Sequence, residues 1–315
     1  MKTAFRLLLA SSLFLGAASQ MKAQNPEVTH NTWTSGASMP TALVAPTAAV
    51  LKNEIYVVGG NNGTANVADV QIYNPVANAW STGPSYPTGI QSASSAVVKN
   101  VLYVFGGTSD GVNPTNAVWE YNPKTKAWTA AAAMPTARWA TEAVVEKNII
   151  YVIGGVVNAS GNGVIATVES YNPATNTWAE LAPMLAAKAQ SAAGLLGTTI
   201  VVADGATNGQ GDTGDNETYN TATNTWTSLA SDPTSRFASC FGSIGPKLYD
   251  MGGQPAPTFA TDFQLSKDKW TTTLAAVPQS TIFPASAVYK GQLYCIGGWA
   301  TWEGSPISNV QIYQP

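Results

Sequence analysis

The sequence predicts an all-β fold, a six-bladed β-propeller whose last blade is closed by the N-terminal strand. Three observations predict it. A short apolar run ending in a glycine pair recurs at Gly59-Gly60, Gly106-Gly107, Gly154-Gly155, Gly252-Gly253 and Gly297-Gly298, with Asp204-Gly205 as a degenerate copy, at a period of 45 to 50 residues. After each pair comes an aromatic and, seven residues on, a tryptophan: Tyr73 and Trp80, Tyr121 and Trp128, Tyr171 and Trp178, Tyr219 and Trp226, Phe263 and Trp270. The sixth copy ends at Tyr313 with no tryptophan after it, while Trp33, set in Asn31-Thr32-Trp33-Thr34, precedes the first glycine pair and has no aromatic upstream. The N-terminal strand is therefore expected to complete the last blade, a closure that leaves no open strand edge.

The chain begins with Lys2 and Arg6, an apolar run from Leu7 to Ala18, and a small, polar stretch from Ser19 to Gln24. That order reads as a secretory signal peptide over residues 1–24, too short in its apolar part to span a bilayer. Residues 25–315 then form a single domain, because no Pro/Ser-rich linker or charge run divides them. Export to the periplasm or beyond is expected, with no membrane insertion.

These residues, an apolar run with Gly-Gly followed by tyrosine and tryptophan, resemble the Kelch repeat over residues 30–315. The resemblance implies a Kelch-type propeller. In each blade, strand a would line the central channel, b end at the glycine pair, c carry the tyrosine and d the tryptophan. Tyr-Asn-Pro-x-Thr-Asn-x-Trp at 171–178, and close copies at 73–80 and 121–128, is a turn sequence joining c to d.

Antiparallel blades put the a–b and c–d turns on one face and the b–c and d–a connections on the other. The first face has uniform turns such as Lys52-Asn53, Lys99-Asn100, Lys147-Asn148 and Lys290-Gly291; the second has long, dissimilar loops at Val156 to Gly163, Ala206 to Asn216 and Trp299 to Pro306. Variable loops on a rigid scaffold are the expected binding surface.

Sixteen residues before each glycine pair, at the entrance of strand a, stand Leu43, Ile90, Arg138, Lys188, Arg236 and Thr281. Three consecutive blades thus present a cation near the channel mouth, which suggests an anion pocket. Trp139, Trp299 and Trp302 lie beside the same rim and suit sugar rings or other planar faces. Glu142, four residues beyond Arg138, is a candidate acid or base and equally a structural partner for that arginine.

Composition narrows the chemistry. Beyond the leader, 12 basic residues stand against 18 acidic ones, a formal charge of −6, so nucleic acid is not an expected partner. His30 is the single histidine. That excludes a multi-histidine metal site, the copper site of Kelch-like galactose oxidases, and a Ser-His-Asp triad. Asp212, Asp215 and Glu217 lack a recognised calcium-loop spacing. No metal or cofactor is expected. Cys240 and Cys295 sit in apolar strand segments, where two buried free thiols are slightly favoured over a bond between them.

The expected function is an exported binding module, monomeric, taking a protein partner or a small anionic or carbohydrate ligand on the long-loop face. The alternative is a sugar mutarotase similar to the periplasmic N-acetylneuraminate epimerases. That family uses a glutamate and an arginine within a long loop, and no loop after a glycine pair contains arginine here. A third use is pure docking, with the cations held in internal salt bridges.

Overall fold

Six antiparallel four-stranded sheets are arranged around one channel in the computed structural model, which describes residues 30–208 and 211–315. The expected signal peptide lies outside these residues. In the first blade the strands run in sequence from the channel outward: Thr47–Leu51, Glu54–Val58, Val70–Asn74 and Ala79–Thr82. The next four blades repeat this order. The sixth takes Ala285–Tyr289, Gln292–Ile296 and Val310–Gln314 from the C-terminal end and Thr32–Gly36 from the N-terminal end, with Trp33 opposite Tyr313. The seven-residue interval has the same cause in all five blades that carry it: it sets the aromatic directly across from the tryptophan on the neighbouring strand.

Apolar packing is concentrated between blades. Each of the six boundaries holds its own buried cluster, such as Ile55, Val57 and Tyr73 against Ala285, Tyr294 and Ile296 between the first and last blades. A polar latch accompanies each cluster. Trp178 Nε1 donates to the carbonyl of Ala132 on the preceding blade at 2.8 Å, and the Asn176 side-chain oxygen accepts from Ala132 N at 2.7 Å and from the Tyr171 hydroxyl at 2.7 Å. The same triad recurs with Asn78, Asn224 and Asn31. Blade 2 carries Lys126 in place of the asparagine, and the residue it would have received a bond from is Pro84, which has no N–H.

The glycine pairs lock neighbouring blades together as well. The second glycine donates its N–H to the carbonyl of the strand-a entrance residue on the next blade in all six copies, at 2.7 to 3.0 Å. That carbonyl presses against the first glycine: a Cβ on Gly59, Gly106 or Gly154 would lie 2.3 Å from it. The left-handed φ of these glycines, 61° to 66°, is a second reason for the residue type.

A disulfide joins Cys240 on the inner strand of blade 5 to Cys295 on the second strand of blade 6. The expectation of free thiols is corrected by this bond. The two positions face each other across a blade boundary, a proximity that their separation of 55 residues does not reveal. Among the described residues no helix is long and apolar enough to cross a membrane.

Candidate functional site

Just before each inner strand, one residue per blade takes a left-handed backbone: Ala45, Ser92, Ala140, Gln190, Ala238 and Phe283, with φ between 52° and 56°. Each donates its N–H to the carbonyl of its counterpart on the preceding blade, from Ala45 N to Phe283 O at 2.9 Å round to Phe283 N to Ala238 O at 2.8 Å. The six bonds form a closed collar at the channel mouth on the long-loop face. Below it lies a cavity of about 340 Å³ walled mainly by small inner-strand residues, among them Ala48, Ser95, Ala143 and Ser286.

The three cations expected at this mouth lie beneath it and are already paired. Arg138 and Arg236 are fully buried and Lys188 is 1% exposed. Arg138 meets Glu169 at 2.5 Å and donates to the carbonyls of Gly154 and Thr167, both at 3.0 Å. Lys188 meets Glu217 at 3.0 Å and Asp215 O at 2.9 Å. Arg236 faces Asp232 at 3.4 Å and donates to the carbonyls of Thr234, Asp250 and Phe259. Burial pulls Arg138 and Lys188 below their ordinary values, and the partner glutamates oppose it. In place of a shared anion pocket, the structure holds three separate internal ion pairs. Arg138 is matched by Glu169 on strand c and not by Glu142.

The partner position follows a rule. Two residues before the strand-c aromatic stand Gln71, Trp119, Glu169, Glu217, Thr261 and Gln311. Gln71 bonds both backbone groups of Thr41, and Gln311 those of Gln279, so a polar residue here ties down the d–a connection. Where the entrance residue is cationic, glutamate does both tasks. In blade 5, Thr261 cannot, and Asp232 replaces it.

Glu142 lies on the channel wall, half-buried among Ala143, Ser95 and Thr141. Burial pushes its carboxyl well above the usual range, and the charge of Asp250 adds to the effect. An acid raised in the folded state ionises first in the unfolded chain, so the fold loses stability as pH climbs from about 4.5 through the folded value. Glu142→Gln will consequently melt higher than the wild type at pH 8 and close to it at pH 4. Thermal denaturation across that range checks this, and a constant difference at both pH values would refute it.

Aromatic side chains gather on one side of the mouth. Phe283 packs on Trp299 at 5.7 Å and Trp302 at 5.8 Å; Trp302 reaches Trp299 at 6.0 Å and Phe237 at 6.0 Å. Trp302 is 49% exposed. Trp139 is placed elsewhere, on blade 3 across the ring from blade 6, where it packs beside Val156 and bonds Asn158 O at 3.2 Å. Phe283 was missed by sequence counting because its signal, the residue two past the strand-a entrance, appears only when the six collar positions are aligned.

Asp212, Asp215 and Glu217 do not converge: Asp212 accepts from Ser235, Asp215 serves through its backbone, and Glu217 is held by Lys188. One carboxylate group of three does form among the described residues. Asp204, Asp232 and Asp250 are buried with oxygens within 4.8 Å of one another. Burial holds the Asp204 carboxyl far above its ordinary range, with the charges of Asp250 and Asp232 adding to it. The degenerate glycine copy at Asp204 was the available signal.

A closed ring of six blades with a fixed collar and dissimilar loops is the architecture of a repeat propeller. The model of the KLHDC2/KLHL20/DRC7 Kelch-repeats domain matches residues 18–155 and 47–253. The chain belongs to the Kelch-repeat family. The solved structure titled "Structure of YjhT" is similar with a TM-score of 0.76 at 19% identity, over 87% of this chain and 95% of that one. At that identity the likeness shows the fold. No curated protein sequence matches the chain.

Proposed function

We propose that the protein is an exported binding module that takes carbohydrate on the long-loop face, at the channel mouth. The carrying observation is the rim cluster of Phe237, Phe283, Trp299 and Trp302, whose outermost ring is half exposed above a channel of small side chains. Aromatic faces stack on the apolar faces of sugar rings. A neutral sugar is favoured over an anionic one, because Arg138, Lys188 and Arg236 are committed to internal carboxylates. Export is supported by the leader-like order of residues 1–24 and by the Cys240–Cys295 bond, which belongs to an oxidising compartment.

Tryptophan fluorescence titration with a panel of neutral oligosaccharides is the test. Trp302→Ala will weaken binding roughly tenfold, and adding Trp299→Ala will weaken it further. Affinity unchanged by both substitutions would overturn the rim assignment, and absence of binding across the panel would favour a protein-docking role.

An enzymatic reading rests on Glu142, a channel-wall carboxyl that burial pushes above the usual carboxylate range. NMR of anomer interconversion would replace the binding reading if the protein accelerated the reaction and Glu142→Gln abolished that acceleration.

A further inference from the structure

The repeat is broken at three places that meet in space. At the first glycine position, blade 4 carries Asp204 where the other five carry glycine. Two residues earlier in the repeat, on strand b, blade 5 carries Asp250 where the others carry Val57, Val104, Val152, Val202 and Cys295. Four residues before the strand-a entrance it carries Asp232, where the others carry the buried Met39, Tyr86, Met134, Met184 and Val277. Each change exchanges a small or apolar residue for a carboxylate, and all three converge on the boundary between blades 4 and 5.

Isolated carboxylates there are costly. Asp204 is 1% exposed and Asp250 fully buried, and among the described residues none of their four carboxyl oxygens has a hydrogen-bond donor. Asp204 also holds a left-handed backbone, φ 58°, where glycine is the rule. Strain and unmet acceptors retained together at one place mark a functional site. Asp232 is better supplied, accepting from Thr234 N at 2.7 Å and the Thr261 hydroxyl at 2.9 Å, and facing Arg236.

We infer that Asp204, Asp232 and Asp250 form a binding site for a divalent hard cation, with calcium the best match. The charges balance: three carboxylates against the single Arg236 guanidinium leave two negative charges, while nearby Lys188 is matched by Glu217. The donors are all oxygen, which selects calcium, magnesium or manganese over softer metals. The dimensions agree as well. Ligands on opposite sides of a calcium ion stand about 4.6 to 5.2 Å apart, and these oxygens lie within 4.8 Å of one another. An ion held there joins blade 4 to blade 5. The inference is independent of what the rim binds.

The test uses the full chain freed of metal with a chelator. Calorimetry with calcium chloride will show one equivalent bound, and saturation will raise the melting temperature by on the order of 5 °C. Asp204→Gly/Asp250→Val restores the residues of the other blades; it will fold, bind no calcium and lose the shift. Should that variant fail to fold, Asp250→Asn will still show calcium affinity reduced at least tenfold. The proposal is overturned if calcium, magnesium and manganese all fail to bind the wild type, the outcome expected of an Asp204–Asp250 pair that simply shares a proton. It is equally overturned if calcium binding survives the substitutions.

Discussion

Arg138→Ala will cost the fold about 3 to 5 kcal/mol, the usual penalty for stranding one partner of a buried ion pair. The loss has several parts. Glu169, 1% exposed, is left among the described residues with the Thr136 hydroxyl as its donor; the carbonyls of Gly154 and Thr167 lose theirs; and a fully buried side chain leaves a void. Blade 1 supplies the control. It runs the same connection with Leu43 and Gln71, so Arg138→Leu/Glu169→Gln transplants a pair that the fold already accommodates. That double variant will recover most of the loss, because a buried ion pair and a well-packed apolar replacement are often close in stability. Urea denaturation of wild type, both single variants and the double variant measures the coupling. A single-variant cost under about 1 kcal/mol would show that the pair is not sealed as the geometry has it.

Removing the disulfide with Cys240→Ala/Cys295→Ala will cost roughly 4 kcal/mol, the chain-entropy value for a loop of this length, seen as a fall in melting temperature of roughly 8 °C. The bond closes a 55-residue separation at a particular boundary. Blade 6 is the one blade assembled from both ends of the chain, and fraying of its outer strand, Thr32–Gly36, exposes the edge that the ring otherwise hides. The link fastens that composite blade to blade 5 through an inner strand, and the Trp33 indole donates to Ala275 O in the connection after blade 5's outer strand. Scanning calorimetry of the variant checks the effect. Appearance of a separate, early transition in the variant would assign the effect to blade 6, and an unchanged midpoint would show that the ring holds without the bond.

The fold was legible because its signature residues are the ones that make the ring. Tyrosine and tryptophan seven apart are cross-strand partners, the glycine pair is where the next blade's carbonyl arrives, and the lone Trp33 announced the closing strand. Side-chain destinations were less legible. Counting back from the glycines placed Arg138, Lys188 and Arg236 correctly at the entrance of the inner strand, yet a residue there can turn outward to the mouth or inward under the next connection. The deciding residues, Glu169 and Glu217, stand two before the tyrosine, and their meaning emerges only beside Gln71 and Gln311. The three aspartates were hidden differently: each is a departure at its own repeat position, and only the register between adjacent blades brings them together.

The collar at the channel mouth has a consequence for how this surface diversifies. Its N–H and carbonyl groups are spent on one another, so the main chain has little left with which to address a visitor. At the collar itself a visitor meets six side chains, now alanine at three places and serine, glutamine and phenylalanine at the rest. The hoop is made of main-chain bonds alone, so side chains that tolerate its left-handed backbone can be exchanged without breaking it. A short alphabet at six sites offers a very large vocabulary of mouths on an unchanged frame, and selectivity can drift or be engineered there without retuning the blades.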